Sequence, residues 1–247
     1  MANFPPLKNH ILYCVDRLIE DYGLQAPFLD VGCGRGDVAA HLGRRGWQGR
    51  AIDRSEQAVE RARRHLAGCA GIAVDNVDLH DVEGTYRTIL LMDVIEHLPD
   101  DMAALRRVHT LLEPGGHAVL SVPSHPREWR WDDEFYGHVR RYDPDDLCRA
   151  LRAVGLEPVL LWDFTFPVFW AMRRLYTRLK RPPREPSGSA QTRTENSSLA
   201  DSWTIPLVSR LLCRDHVLWR GICRLQFRLF RANIKRGHEI LALARKT

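Results

Sequence analysis

The stretch Phe28-Leu29-Asp30-Val31-Gly32-Cys33-Gly34-Arg35-Gly36 sets an apolar run, an acid and three alternating glycines directly before a helical pattern. Glycines at such a turn admit left-handed backbone angles and let the chain approach a ligand without a clashing Cβ. The helix that follows offers free N–H groups at its N-terminus. A dinucleotide-binding loop needs its third glycine three residues past the second, at position 37, and that residue is Asp37. The loop therefore reads against a nicotinamide or flavin site. Taken alone, the same glycines read equally well as a tight strand-to-helix turn.

Outward from this loop, short apolar runs alternate with longer helical patterns, as in parallel strands joined by crossover helices. Strands are expected at 27–31, 49–53, 71–74, 88–92, 117–122 and 157–162, and helices at 37–45, 55–66, 100–112 and 143–154. Ser55 suits an N-cap, and Glu113-Pro114-Gly115-Gly116 is expected to stop a helix and turn the chain into the next strand. A last apolar run at 239–244 completes the sheet. The expected fold is α/β: a Rossmann-like, seven-stranded, mostly parallel sheet flanked by helices. All of 1–247 forms one domain, with a helical insertion at 163–237 before the last strand and a mobile loop at 181–202.

With Asp30 two residues before Gly32, the Gly-x-Gly-x-Gly loop resembles motif I of the class I S-adenosylmethionine-dependent methyltransferases. Four further segments extend the resemblance. Asp53 ends the second strand, where the family places the acid that accepts from both ribose hydroxyls. Asp75 and Asn76 follow the third strand, where the family reads the adenine amino group. The run 90–99 with Met92 looks like the fourth strand and its exit, and 112–117 like the turn into the fifth. The resemblance implies S-adenosyl-L-methionine as cofactor, bound by Asp30, Gly32, Cys33, Gly34, Gly36, Asp53, Arg54, Asp75, Asn76 and Met92.

Asp93, Glu96 and His97 leave the fourth strand at the edge where open α/β sheets bind ligands. On one helical turn, the spacing i, i+3, i+4 places all three on one face. A similar run occurs in quinone-biosynthesis O-methyltransferases and small-RNA 2′-O-methyltransferases, where a downstream histidine completes a metal site. His138 is the residue in that role here. The resemblance implies Mg2+ held by Asp93, Glu96, His97 and His138, with the cation activating a substrate hydroxyl. In metal-free relatives the Glu-His pair lines the pocket, and His97 or His138 would serve as general base beside Glu96. Trp129, Trp131, Phe135 and Tyr136 read as an apolar lid or as ordinary packing, and Arg140 and Arg141 as anion-holding or solvated side chains.

The six cysteines show no Cys-x-x-Cys pair, so reduced thiols are expected. The net charge of +5 is unevenly spread: residues 161–247 carry 17 Lys+Arg against 6 Asp+Glu. Within 206–234 the residues Arg210, Arg214, Arg220, Arg224, Arg228 and Arg231 recur beside a stripe of Leu211, Leu218, Ile222, Leu225 and Leu229, joined by Trp219 and Phe230. The segments 166–181 and 206–234 read either as amphipathic helices on an anionic membrane surface or as a cover for the catalytic domain. No nucleic-acid module is recognisable. No apolar run reaches the roughly 18 residues of a membrane span, and no secretory leader is evident, so a cytoplasmic protein, peripheral at most, is expected. The expected chemistry is O-methylation of a small or lipophilic acceptor. Left open are metal-independent N- or C-methylation with a histidine base, a non-catalytic cofactor-binding module, and a membrane-associated scaffold without activity.

Overall fold

The computed structural model describes residues 6–180 and 216–247. In chain order the elements are α1 (Pro6–Tyr22), β1 (Phe28–Val31), α2 (Asp37–Arg44), β2 (Gly49–Ile52), α3 (Glu56–His65), β3 (Ile72–Asp75) and β4 (Tyr86–Met92). They continue as α4 (Asp101–Leu111), β5 (Leu112–Pro123), α5 (Trp131–Tyr136), α6 (Pro144–Ala153), β6 (Leu156–Asp163), α7 (Val168–Leu179), α8 (His216–Phe230) and β7 (Glu239–Lys246). The seven strands form one sheet in the order β3-β2-β1-β4-β5-β7-β6. Six strands run in one direction, and β7 enters antiparallel between β5 and β6, pairing Ser121 with Leu241 and Trp162 with Leu241 from its two sides.

Alternation along the central strands divides the core between the two faces. Leu29, Val31, Ile89, Leu91 and Leu120 meet Leu105, Val108, Leu147 and Leu151 of α4 and α6. Phe28, Leu90, Val119 and Leu241 meet Cys14, Val15, Leu18, Ala39, Leu42 and Phe227 of α1, α2 and α8. Removing each of the valine, leucine, isoleucine and phenylalanine side chains among them from water stabilises the fold by roughly 1.5–3 kcal/mol. Ser55 caps α3 by accepting from Ala58 N–H at 3.3 Å, and Asp100 caps α4 by accepting from Ala103 N–H at 2.8 Å.

Two local features differ from expectation. Glu113 to Gly116 do not form a turn outside the sheet. The strand already begins at Leu112, paired with Tyr86, and the register shifts before Thr88 meets His117, with Gly115 at φ +75°. The pair of glycines thus accommodates an irregular strand entry rather than a separate loop. The second is α1, absent from the sequence expectation; its buried Cys14, Val15 and Leu18 fall at helical spacing on the α2 side of the sheet.

Strand order reverses between β1 and β4, whose exits open the crevice at the carboxyl edge where open α/β sheets take ligands. The loop 181–202, and Arg210, Leu211 and Arg214 of the basic stretch, lie outside the described residues. So does Cys213; Cys14, Cys33, Cys69, Cys148 and Cys223 are free thiols. Among the described residues no helix is long and apolar enough to cross a membrane.

Candidate active site

The first half of the site forms at the exit of β1. Gly32 has φ +64°, and a Cβ there would stand 2.8 Å from Val94 Cγ2, so only glycine lets the loop pass the exit of β4. Gly36 occupies the left-handed N-cap of α2 at φ +75°. Gly34 donates its N–H to Asp53 Oδ2 at 2.9 Å, and Ser55 N–H donates to Asp53 Oδ1 at 2.8 Å. Asn76 Nδ2 donates to the Asp53 carbonyl at 2.9 Å, holding the end of β2. Asp30 is buried with its Oδ2 unpartnered. Burial pushes its carboxyl up to about 7, against the backbone hydrogen bond with Ala39. Burial likewise pushes the Cys33 thiol up, and Met92 is half-buried against the same core.

Asp30, the three glycines, Cys33, Asp53 and Asn76 therefore share one edge. Two further expected cofactor residues have charged partners within the protein. Asp75 accepts from Arg50 Nε at 2.7 Å, and Arg54 turns outward to Asp78 at 3.3 Å. Both respond to a local opposite charge that the linear pattern does not display.

The second half forms where β4 ends. Asp93 sits at φ +55°, and the short helical turn spans only Ile95–His97, so Asp93 does not share one helical face with Glu96 and His97. Its N–H meets Ser121 O at 3.1 Å and its Oδ1 accepts from Ser121 Oγ at 2.8 Å, which turns it toward β5. Instead, ligand atoms of Glu96, His97 and His138 lie within 4.8 Å of one another. Asp93, the fourth residue expected with them, lies outside this cluster. Glu96 is fully buried and neither carboxylate oxygen has a hydrogen-bond partner. Burial pushes its carboxyl well up, reinforced by Asp93 and Glu239.

The two imidazoles are oriented from outside. His97 Nδ1 lies 3.3 Å from the Gly137 carbonyl, an acceptor that calls for an Nδ1–H donor. Burial and the neighbouring His138 hold its pKa down at about 4. His138 Nδ1 meets Asp133 Oδ1 at 2.9 Å, leaving Nε2 as its lone-pair nitrogen, and the two rings stand edge-to-face with centroids 4.9 Å apart. Val139 N–H donates to the Glu96 carbonyl at 3.0 Å, tying the two segments together.

Arg140 and Arg141 both have partners within the protein. Arg140 pairs with Asp101 at 2.6 Å and donates to the Leu98 and Pro99 carbonyls. Arg141 is buried against Asp133. Trp131 packs on Tyr176 and donates to the Thr177 carbonyl at 3.0 Å, while Trp129 and Phe135 remain exposed. Several polar residues of the site escape sequence reading. Glu239, at the start of β7, has Oε2 unpartnered, and burial followed by the charge of Asp93 pushes its carboxyl up to about 8. Asp133 and Arg173 belong to the same surroundings, although no motif links positions 133 and 173.

On α8 the buried face is Trp219, Cys223, Gln226 and Phe227. Leu218, Leu225 and Leu229 of the leucine stripe face away from the core at 55–62% exposure, and on α7 Leu175 and Leu179 are also exposed.

The model of a methyltransferase domain family matches residues 12–161. A ubiquinone biosynthesis O-methyltransferase of Ruegeria pomeroyi is 30% identical over 174 residues, covering 61% of this chain and 70% of that protein. One of the same name from Pseudomonas paraeruginosa is 31% identical over 128 residues, covering 49% of this chain and 55% of its own length. Among solved structures, the 1,6-didemethyltoxoflavin-N1-methyltransferase of Burkholderia thailandensis, with bound 1,6-didemethyltoxoflavin and S-adenosylhomocysteine, superposes at a TM-score of 0.57. It is 17% identical, covering 97% of this chain and 79% of that one, a likeness of fold alone.

Proposed function

From the premise that the chain belongs to the methyltransferase domain family and is an S-adenosyl-L-methionine-dependent methyltransferase, we propose that it methylates a hydroxyl of a small or lipophilic acceptor. We propose further that Glu96, His97 and His138 hold a divalent cation. The observation that carries this reading is Glu96: a fully buried carboxylate with two unpartnered oxygens beside two imidazoles. Burying such a group is costly unless a partner compensates it, and a cation is a partner of the right charge.

The donor set also speaks to which cation. Two imidazoles and one carboxylate suit Mn2+, Zn2+ or Fe2+ better than Mg2+, which prefers oxygen ligands. When bound, such an ion supplies Lewis acidity that lowers the pKa of the acceptor hydroxyl.

The remaining roles fall to the chain itself. Asp53 offers its carboxylate to the vicinal ribose hydroxyls, Asn76 steadies it, and the glycine loop lets the backbone approach the sulfonium end. The oxygen–carbon bond forms as the sulfur–carbon bond breaks, the hydroxyl proton leaves, and S-adenosylhomocysteine remains as a neutral thioether.

The Asp133–His138 contact supports a second reading, in which a carboxylate-oriented imidazole takes the proton directly without metal. The ubiquinone-biosynthesis names of the relatives support a quinone-like phenol as acceptor. The outward leucines among the arginines of α7 and α8 support a location on the cytoplasmic side, peripheral at an anionic membrane through 166–181 and 206–234. The region 163–237 then acts as the acceptor-facing cap of a single methyltransferase domain.

Methyl transfer from labelled cofactor to catechol separates the two mechanisms. The metal reading expects loss of turnover in chelator and recovery with Mn2+ or Zn2+. Full turnover in chelator selects the histidine base, and no turnover with any hydroxyl acceptor overturns both.

A further inference from the structure

The carboxylate behind His138 is held from outside the catalytic edge by a helix with no motif of its own. Asp133 Oδ1 takes His138 Nδ1 at 2.9 Å and Arg141 Nε and Nη2 at 2.9 and 2.7 Å. Its Oδ2 takes the Arg130 N–H at 2.7 Å and Arg173 Nη2 at 2.8 Å. Both oxygens are therefore saturated. Arg173 belongs to α7, is 4% exposed, and forks onto Asp132 through Nε at 2.8 Å and Nη2 at 2.7 Å, while its Nη1 donates to the Glu128 carbonyl at 3.0 Å. One guanidinium thus clamps residues 128, 132 and 133, five positions upstream of His138.

We propose that Arg173 is a positioning residue for the methyl-transfer site: it fixes Asp133, which fixes the Nδ1–H tautomer and ring orientation of His138, so that Nε2 faces Glu96 and His97. This rests on the reading of Glu96, His97 and His138 as the reacting cluster, whether as metal ligands or with His138 as base. It gives α7 a positioning role at the site in addition to that of a cap.

Three alternatives for Arg173 are separable by chemistry. If it only neutralised buried charge, any cation in its place would serve. Planar bidentate geometry demands a guanidinium, because an ammonium reaches one carboxylate at a time. If it only packed, an apolar side chain of similar length would serve. The neighbouring Arg174 supplies the control, since it pairs with Glu128 at 2.5 Å and does not touch Asp133.

The test compares wild type, Arg173→Met, Arg173→Lys and Arg174→Met as full chains. Three quantities are read: calorimetric affinity for S-adenosylhomocysteine, Mn2+ affinity by electron paramagnetic resonance, and the His138 tautomer by nitrogen-15 NMR. Groups that orient a ligating imidazole are worth about 10- to 100-fold in metal affinity. Arg173→Met is expected to weaken Mn2+ about tenfold and to mix the His138 tautomers, with S-adenosylhomocysteine affinity within twofold of wild type. Arg173→Lys is expected about threefold weaker, with a detectable second tautomer, and Arg174→Met unchanged in both. A folded Arg173→Met that keeps wild-type tautomer and Mn2+ affinity overturns the proposal. Should that variant fail to bind S-adenosylhomocysteine, wild-type behaviour of Arg173→Lys in both readouts overturns it instead. A wild type that binds no Mn2+ removes the metal reading alone, and the tautomer comparison then decides the positioning role.

Discussion

Asp53 accepts the Gly34 N–H at 2.9 Å, so the carboxylate that ends β2 holds in place the glycine loop that leaves β1. Ribose recognition and loop shape therefore depend on one side chain. Asp53→Ala is expected to weaken S-adenosylhomocysteine at least tenfold by calorimetry, with Asp53→Asn intermediate because its amide oxygen can still accept. Unchanged affinity in Asp53→Ala would contradict the cofactor assignment.

Gly32 combines a positive φ with a forbidden Cβ position against Val94. Gly32→Ala should cost about 2 kcal/mol, since both the backbone conformation and a stiff β-branched neighbour resist it. Thermal unfolding should shift down by roughly 5 °C in a chain of this size. A shift below one degree would mean that the loop has room to relax.

Asp30 carries a pH signature. Its folded-state pKa of about 7 lies above its ordinary value of 3.8, so the folded chain holds this proton more tightly than the unfolded one. The associated stability is complete below about pH 4 and is lost as the pH rises towards 7. Asp30→Asn should therefore flatten the melting temperature between pH 5 and 8 and lie above wild type at pH 8. Parallel curves for the two proteins would place the titration elsewhere.

Glu96→Gln separates stability from function. Burial already pushes the Glu96 carboxyl towards its neutral form, so the isosteric amide is expected to leave the melting temperature of the metal-free protein close to that of wild type, while Mn2+ binding falls by more than tenfold. A variant that binds Mn2+ like wild type would remove Glu96 from the cation site.

The outward stripe on α8 is testable with vesicles. Leu218→Ser combined with Leu225→Ser should reduce sedimentation with phosphatidylglycerol vesicles about tenfold at low salt, with S-adenosylhomocysteine binding intact. Wild type that stays in the supernatant would instead favour a covering or protein-facing role for these leucines.

The sheet was legible because its strands are nearly continuous apolar runs and its helices carry caps at their starts, as at Ser55 and Asp143. The glycine loop and Asp53 were legible because the turn and the acid lie at fixed distances from strand ends. Helix α1 was also written in its spacing but has no motif to attract notice. Asp93 was misread because one positive φ ends the strand abruptly, and no residue pattern forces that angle at an aspartate. Leucine and tryptophan count alike in a hydrophobic pattern, so the spacing on α8 left open which of them the core takes, and it takes Trp219 and Phe227. Arg173 and Glu239 were illegible for a topological reason: β7 and α7 return to the site from beyond position 160, and no local spacing records that return.

The antiparallel seating of β7 has one more consequence. Asp163, the last residue of β6, pairs in register with Ile240. The chain between them therefore departs and comes home at adjacent points of the sheet, about one strand spacing apart. Such an excursion can be lengthened, trimmed or exchanged without disturbing the donor-binding edge, as a tool is changed in a fixed chuck. Any replacement must still supply a guanidinium able to reach back to Asp133 and an aromatic side chain in the place of Phe227, which packs into the core with Phe28 and Leu42.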